Sequence, residues 1–326
     1  MKKSYYILLL FLGFFGSGCK TFVTQQTFGN APQLTEFTLS NTVKLATPTL
    51  DESSGLEYSK GKLWTLNDSG NGPQLFSVNP ATGAVLQTIT LEGATNVDWE
   101  DLAADDHYLY IADTGNNVSG ARTDLKIYKL KLDDIPMRGD ATIPAHNIEV
   151  IPFFYPEQGE SPTPTAIQNN TAYDCEAIYV RNDTIHLFTK DWTSAYDGYG
   201  TSEYLLPNVS RAGNGKYPAI FFKRYDHINC MVTGVDYSDK INEVIVIGYQ
   251  NGGLWTHYVR IYSGFQGNDL LTGSVYSKNL GSLNQVEAIC FGNNPYTGYI
   301  SNEKVAVIKS VSIPASLKSF TVSYKK

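Results

Sequence analysis

The chain has 326 residues, of which 32 are acidic and 25 are lysine or arginine. This acidic balance argues against nucleic-acid binding, because a phosphate backbone requires a basic protein face. The apolar content of 42% is ample for a buried core, so disorder is a poor explanation for all but the chain ends. The 22 tyrosines, 28 glycines and 14 prolines are typical of many short strands joined by tight turns.

The first 18 residues have the organisation of a signal peptide. Lys2 and Lys3 precede an apolar stretch over residues 5–15, and Gly16-Ser17-Gly18 comes directly before Cys19. This arrangement resembles a bacterial lipobox, in which the cysteine is acylated and becomes the mature N-terminus, although Gly16 stands where the lipobox usually has Leu. We therefore expect a lipoprotein of the bacterial cell envelope, attached to a membrane through lipid on Cys19 and facing the periplasm or the cell surface. An ordinary signal peptide cleaved nearby, or an uncleaved anchor, is the alternative.

The remainder of the chain divides into a predicted tether over residues 19–34 and one folded domain over residues 35–326. The tether lacks a sustained hydrophobic period. Without the signal peptide, 23 basic residues face 32 acidic residues, which gives a net charge of −9 and suits a soluble extracytoplasmic domain. We expect a monomer.

One strand start recurs five times in the folded domain. A glutamate followed two residues later by an aliphatic residue begins three of the copies, and serine or threonine replaces the glutamate in the other two. The repeated positions are Ser54, Glu100, Glu176, Thr233 and Glu287. Recurrence at roughly 45 to 75 residues is typical of propeller blades. The sequence therefore predicts an all-β fold, a single β-propeller with five blades.

The predicted strands follow the repeat in chain order. The first four blades each have four strands, within residues 55–91, 101–155, 177–224 and 234–278. Between the second and third blades, Pro156–Thr171 contains three prolines and is interpreted as an inserted loop. The last blade has only three strands, within residues 288–324. We expect Glu36–Leu45 to supply its outer strand and close the ring.

Four sequence blocks resemble the NDSG, DWED[IL]A, GD.GDN and D.EA blocks of an exported and largely uncharacterised bacterial family. In order, they are Asn67-Asp68-Ser69-Gly70, Asp98-Trp99-Glu100-Asp101-Leu102-Ala103, Asp113-Thr114-Gly115-Asn116-Asn117 and Asp174-Cys175-Glu176-Ala177-Ile178. The resemblance covers residues 52–191, and the C-terminal third shares only Val286-Glu287-Ala288-Ile289. More distantly, the chain is similar to the propellers of the regucalcin/gluconolactonase, SdiA-regulated and esterase-like phytase groups. Most of these have six blades, so six blades is the alternative to five.

In gluconolactonase-like propellers, a glutamate at the start of an inner strand helps to bind a divalent metal in the central channel. The resemblance implies this role for Glu100, Glu176 and Glu287. Apart from any resemblance, three carboxylates that converge from inner strands repel one another unless a cation or protons compensate. We therefore predict a Ca²⁺ or Mg²⁺ site in the channel. The alternative is that each glutamate accepts hydrogen bonds from backbone N–H groups of the neighbouring blade and binds no ligand.

Two turns are predicted to add metal ligands at the mouth of the channel. Asp68-Ser69-Gly70-Asn71 and Asp113-Thr114-Gly115-Asn116 follow the first two repeat copies at about the same distance. Asp68 and Asp113 are the candidate ligands. In the alternative interpretation these are structural turns, in which each Asp accepts hydrogen bonds from the following N–H groups and Gly takes the conformation that the turn needs.

Four aromatic residues in loops are candidates for a ligand-binding rim. They are Trp192, Tyr196, Tyr199 and Trp255. Aromatic rings beside carboxylates suit sugar rings, which stack through their C–H faces, although exposed tyrosines are also common without a ligand.

Two functions remain open from the sequence. We prefer a binding propeller that presents its channel mouth or rim to a glycan, peptide or protein. The alternative is a divalent-metal-dependent hydrolase of the lactonase or phosphoesterase type. The sequence contains no nucleophile elbow, HExxH, P-loop or EF-hand motif, so no catalytic acid or base is assigned. We expect Cys175, Cys230 and Cys290 to be buried free thiols, with one disulfide as the alternative.

Replacing the proposed lipidation residue tests the predicted anchor. Cys19→Ser should release the protein from membranes, because it removes the thiol sulfur that the lipid attachment requires. Membrane fractionation followed by mass determination of the N-terminus measures the change. A variant that stays in the membrane fraction with an intact N-terminus would contradict the lipoprotein prediction.

Overall fold

Short strands dominate the chain, as its composition predicts. The computed structural model describes residues 34–194, 199–211, 213, 215–226, 228–250, 256–281, 285–308 and 311–325. These residues form 25 strands and four short 3-10 helices. Within them, no helix has the length and apolar character needed to cross a membrane.

The strands, in chain order, are β1 (Leu34–Leu39), β2 (Val43–Lys44), β3 (Ser53–Ser59), β4 (Lys62–Asn67), β5 (Gln74–Val78), β6 (Val85–Leu91), β7 (Trp99–Ala104), β8 (Tyr108–Asp113), β9 (Lys126–Lys131), β10 (Ala141–Ile143), β11 (Ile148–Phe154), β12 (Cys175–Arg181), β13 (Thr184–Thr189), β14 (Thr201–Pro207), β15 (Tyr217–Pro218), β16 (Ile220–Tyr225), β17 (Met231–Ser238), β18 (Glu243–Gln250), β19 (Thr256–Ser263), β20 (Ser274–Gly281), β21 (Val286–Phe291), β22 (Thr297–Asn302), β23 (Val305–Ile308), β24 (Val311–Ile313) and β25 (Ser316–Tyr324).

Five sheets form the blades of a propeller. From the innermost strand outward, their main strands are β3-β4-β5-β6, β7-β8-β9-β11, β12-β13-β14-β16, β17-β18-β19-β20 and β21-β22-β25-β1. The inner strands contact one another in the cyclic order β3, β7, β12, β17, β21 and back to β3. The five-bladed all-β propeller predicted from the repeat is therefore confirmed, and the six-bladed alternative is wrong.

The N-terminal strand closes the ring, as predicted from the missing outer strand of the last blade. β1 pairs antiparallel with β25, and Phe37 lies opposite Val322. Phe37 is fully buried and stacks on Phe320, with ring centroids 4.9 Å apart. Because β1 comes from the start of the domain and β25 from its end, this pairing joins the two ends of the ring and removes an open sheet edge.

Four short strands have no counterpart in the sequence prediction, and two of them, β23 and β24, pair with each other. The other two join neighbouring blades: β10, which lies between two strands of the second blade, pairs in parallel with β6 of the first blade. β15, from the third blade, pairs in parallel with β11 of the second blade. Both β10 and β15 therefore add a fifth strand to the blade before their own. Segments of two or three residues carry too little hydrophobic pattern to be predicted as strands. Pro156–Thr171 contains no strand, which confirms the inserted loop.

The hydrophobic core lies between the faces of neighbouring blades. In the described residues it consists of five clusters, one for each pair of adjacent blades around the ring. Cys175, Cys230 and Cys290 are free and buried in three of these clusters. The interpretation of these cysteines as packed thiols is therefore confirmed.

Side-chain hydrogen bonds join neighbouring inner strands. The hydroxyls of Ser54 and Thr233 donate to backbone carbonyls of the next blade, at 2.5 and 3.0 Å. The carboxylates of Asp101 and Asp236 accept hydrogen bonds from backbone N–H groups of the next blade, at 2.9 and 2.7 Å. In the two copies of the repeat that lack the glutamate, the hydroxyl side chain therefore forms a hydrogen bond between blades.

Removing the stacked ring of β1 tests the closing role of this strand. Phe37→Ala should lower the free energy of unfolding by about 3–5 kcal/mol, because it empties a fully buried aromatic site. The matched control is Thr38→Ala, next to it on the same strand but exposed, which should cost less than about 1 kcal/mol. Denaturant unfolding followed by tryptophan fluorescence measures both. Equal losses in the two variants would contradict closure through β1.

Candidate metal centre at the channel mouth

A β-bulge recurs at the repeated position of the five inner strands. In each inner hairpin the pairing register shifts at this position, so the repeated residue lies outside the regular pairs. A bulge re-aims the side chain that it carries and often lies next to a functional site. The repeated sequence pattern is therefore the trace of a bulged strand start.

The residue that follows the second strand of a blade is hydrogen bonded to the backbone just before the inner strand. In four blades its N–H donates to the carbonyl of the residue two before the repeated position, over distances of 2.7 to 3.1 Å. The donor and acceptor pairs are Asp68–Glu52, Thr114–Asp98, Lys190–Asp174 and Glu303–Gln285. We use the name channel mouth for these residues together with the repeated residues of the same blades.

Two groups of three carboxylates form in the channel mouth, and they share one residue. The first group is Asp68, Asp98 and Glu100, and the second is Glu100, Asp174 and Glu176. Within each group, one carboxylate oxygen from every residue lies within 4.8 Å of the others. The structure therefore brings three of the predicted metal ligands, Asp68, Glu100 and Glu176, into one cluster.

The cluster also contains residues that the sequence analysis missed. Asp98 and Asp174 each lie two residues before a repeated glutamate, and this spacing puts both side chains on the same face of a strand. The Asp-x-Glu spacing was a signal that could have identified them. Lys190 and Glu303 follow second strands without any shared motif, so only the hairpin geometry reveals that they are equivalent to Asp68.

Burial and mutual repulsion favour protons on these carboxylates in the absence of a cation. Burial first, and then repulsion from Asp68 and Asp174, raise the pKa of Asp98 to about 8. Burial raises the pKa of Asp68 to about 6. Burial and the neighbouring Glu176 raise the pKa of Glu100 well above its usual range. A hydrogen bond between the two carboxyl groups raises the pKa of Asp98 and lowers that of Asp68, so the pair shares a proton in the absence of a cation.

Glu287 brings a further carboxylate from the fifth blade. It is 6% exposed, and its Oε1 atom has no hydrogen-bond partner among the described residues. Burial raises the pKa of Glu287 to about 7, Lys190 and Gln285 oppose this rise, and Asp68 adds to it. A buried carboxylate oxygen without a partner is costly unless a proton or a cation satisfies it.

Lys190 places an ammonium group among these carboxylates. Its Nζ atom lies 2.9 Å from Oε2 of Glu176, and both side chains are buried. The same atom lies 4.8 Å from the ring centroid of Trp192 and 5.2 Å from that of Tyr249, so both rings stabilise the charge. Burial lowers the pKa of Lys190, but Glu176 and the other acids raise it more, and the net pKa is well above the usual value.

Asp113 lies outside both carboxylate groups. The register of the hairpins places it opposite Trp99, which makes it equivalent to Asn67 and not to Asp68. Its carboxylate is buried and forms ion pairs with Arg122 at 2.7 Å and Lys126 at 2.9 Å. Two cations thus already neutralise this predicted ligand.

Gly115 is required by the close approach of the backbone to the first carboxylate group. A Cβ atom at this position would overlap with Oε1 of Glu100 and Oδ2 of Asp98. Glycine in the turn after β8 therefore leaves room for the carboxylates themselves. Gly70 in the first turn has the positive φ of 74° that such a turn needs, whereas Gly115 does not, so the turn conformation explains only Gly70.

The predicted aromatic rim is described only in part. Trp192 is half-buried, and its Nε1 atom donates to Oδ2 of Asp174 at 2.6 Å, which fixes the ring beside the second carboxylate group. Tyr199 is half-buried, with a positive φ of 57°. Tyr196 and Trp255 lie outside the described residues, as does Cys19.

No protein-family model and no curated protein matches the sequence. Similar solved structures include hydrazine synthase from Kuenenia stuttgartiensis, at 14% identity over 77% of this chain and 73% of that chain, with a TM-score of 0.39. A protein from Bacteroides uniformis described as a candidate 6-phosphogluconolactonase is 13% identical over 85% of this chain and 72% of its own, with a TM-score of 0.36. A chain of the mitotic checkpoint complex is 10% identical over 84% and 77%, with a TM-score of 0.39. Similarities at this level do not indicate a shared function. The fold is established by the strand topology of the chain itself.

The raised pKa values predict how the stability of the metal-free protein depends on pH. Asp98 and Glu287 ionise near pH 4 in an unfolded chain but hold their protons to about pH 8 and 7 in the fold. The folded state therefore binds more protons, and the free energy of unfolding should fall as the pH rises from about 4 to 8, by up to about 1.4 kcal/mol per pH unit for each proton.

Asp98→Asn should flatten this slope, because Asn resembles the protonated acid and can still donate to Asp68. Glu36→Gln, at an exposed position on β1, is the control and should leave the slope unchanged. Denaturant titrations in the presence of a chelator, at several pH values, measure the slope. A metal-free stability that rises between pH 5 and 8 would refute the protonated cluster.

Proposed function

We propose that this protein is a lipid-anchored, extracytoplasmic β-propeller that binds a hard divalent cation, Ca²⁺ or Mg²⁺, at its channel mouth and presents it to a ligand. The ligand is a glycan, peptide or protein. The observation that carries the proposal is the crowding of buried carboxylates from several blades around Lys190. The signal-peptide pattern before Cys19 supports the lipid anchor.

The charge of the channel mouth favours an additional cation. Lys190 contributes one positive charge, whereas four blades contribute carboxylates that interact with one another. These are Glu52 and Asp68, Asp98 and Glu100, Asp174 and Glu176, and Glu287 and Glu303. The ammonium of Lys190 and the guanidinium of Arg122, which acts on Asp98, do not balance so many carboxylates, and a divalent cation would compensate them without protonation.

The donor set selects the kind of cation. Both three-residue groups consist of carboxylates alone, without histidine or cysteine. Oxygen donors of this kind suit Ca²⁺ and Mg²⁺ better than softer metals.

A cation in the first group would keep coordination positions open for a ligand. Ca²⁺ takes six to eight oxygens, and Asp68, Asp98 and Glu100 supply only some of them. A hydrogen bond to Asp174 fixes Trp192 beside the second group, which shares Glu100 with the first. Hydroxyl groups of a sugar can complete the coordination while its C–H face contacts an aromatic ring. Among the three ligand classes, a glycan therefore fits best.

A metal-dependent hydrolase of the lactonase or phosphoesterase type is the second candidate. One observation favours it: Asp98 and Asp68 share a hydrogen bond, and their pKa values are about 8 and 6. Carboxylate pairs with separated pKa values often divide the roles of acid and base. A cation beside them would polarise a carbonyl or phosphoryl oxygen of a substrate.

Stabilisation by the cation tests the proposed site. Ca²⁺ or Mg²⁺ at about 100 times its dissociation constant should raise the free energy of unfolding by about 2.7 kcal/mol, and a chelator should reverse the effect. Glu100→Gln should abolish this gain, because Glu100 belongs to both carboxylate groups. Glu243→Gln is the matched control, since Glu243 is also buried with a raised pKa but hydrogen bonds to Tyr324 outside the channel mouth.

Thermal melting with and without the ion measures this difference. An unmodified protein whose melting temperature responds to neither ion would contradict the cation site. Hydrolysis of a panel of lactones and phosphate esters by the ion-loaded protein, lost in Glu100→Gln, would favour the second candidate over a binding protein.

A further inference from the structure

The two carboxylate groups of the channel mouth differ in one respect. In the second group, Glu176 is bound by the ammonium of Lys190 at 2.9 Å. In the first group, no lysine or arginine of the described part of the chain forms an ion pair with Asp68, Asp98 or Glu100. The second group therefore has an ion-paired cation of the protein itself, whereas the first group has only the charge of Arg122, which acts on Asp98 without an ion pair.

Glu100 connects the two groups. Its carboxylate belongs to both three-residue groups. In each group, one carboxylate oxygen of every residue lies within 4.8 Å of the corresponding oxygens of the other two. Sites for two metal ions commonly place the ions about 3.5–4 Å apart with groups shared between them. The two groups that share Glu100 resemble such a double site, and the ammonium of Lys190 binds a carboxylate of the second group.

Lys190 occupies a position of the repeat at which other blades carry an acidic residue. Lys190 follows the second strand of the third blade, and the equivalent residues in the first and fifth blades are Asp68 and Glu303. The repeat thus carries an acid at this position in two blades and a base in the third. Its ammonium is held in place by Glu176 and by the faces of Trp192 and Tyr249.

Glu287 supplies an independent sign that the cluster accepts a ligand. Its Oε1 atom is buried and has no hydrogen-bond partner among the described residues, and its charge interacts with both Lys190 and Asp68. The ammonium of Lys190 therefore leaves at least one carboxylate oxygen of the cluster unsatisfied. The charges of Glu287 and Asp68 also repel each other, so a cation bound near Asp68 would stabilise both ionised carboxylates.

We propose that the ammonium of Lys190 occupies the place of a second divalent cation, so that the channel mouth binds one metal ion, on Asp68, Asp98 and Glu100. Lys190 is then the residue that determines metal stoichiometry. Its positive charge next to Glu176 repels a second divalent ion from the group formed by Glu100, Asp174 and Glu176. This inference rests on the proposed cation site and adds the number of ions and its cause.

Replacing Lys190 should create the second site. Lys190→Met keeps an unbranched apolar chain but removes the charge, so the Ca²⁺ stoichiometry should rise from one to two ions per chain. The double variant Glu176→Gln with Lys190→Met removes one charge of each sign and should stay at one ion. Lys190→Gln, whose amide can still donate to Glu176, should also bind two ions and serves if the methionine variant does not fold.

Isothermal titration with Ca²⁺ and elemental analysis after gel filtration measure the stoichiometry without any assay of activity. One ion in the unmodified protein, two in Lys190→Met or Lys190→Gln and one in the double variant would support the inference. One ion or none in both single variants, or two ions in the unmodified protein, would overturn it and leave the cation site itself intact. An unmodified protein that binds no ion would overturn the proposed function, and the inference with it.

Discussion

Five inner strands packed around one axis force the side chains at their equivalent starts together, and the rest of the channel mouth depends on this constraint. Carboxylates in the second and third blades lie within 4.8 Å of one another although their residues are more than 70 positions apart in the chain, as with Glu100 and Glu176. Like charges at such distances in a buried site are unfavourable unless protons or cations compensate them. Ring closure by β1 and β25 holds the blades in this arrangement.

The inner strands carry two sets of buried carboxylates, and the groups that stabilise them differ. Deeper in the strands, Asp101 and Asp236 accept hydrogen bonds from backbone N–H groups of the next blade. Glu57 does the same with the backbone of Ala104. At the channel mouth, by contrast, Glu176 is bound by a lysine and Glu287 has an unpaired oxygen. Backbone capping, the ligand-free role considered for the repeated glutamates, is therefore observed for the deeper carboxylates.

The turn motifs show how similar sequences take different roles. Asp68-Ser69-Gly70-Asn71 and Asp113-Thr114-Gly115-Asn116 look equivalent, yet the hairpin register offsets them by one residue. A shift of one position along a strand moves a side chain to the other face. Asp68 thus joins the carboxylate cluster, whereas Asp113 is neutralised by Arg122 and Lys126.

The sequence by itself determined the five blades, the closing strand and the positions of Glu100 and Glu176, because local patterns report bulged strand starts and missing strands directly. It also contained Asp98 and Asp174, as the first residues of two Asp-x-Glu pairs. Only the tertiary structure decided that Lys190 enters the cluster and that Asp113 leaves it. The reason is physical: which charges meet depends on hairpin register and on contacts between blades, and neither leaves a local pattern in the sequence.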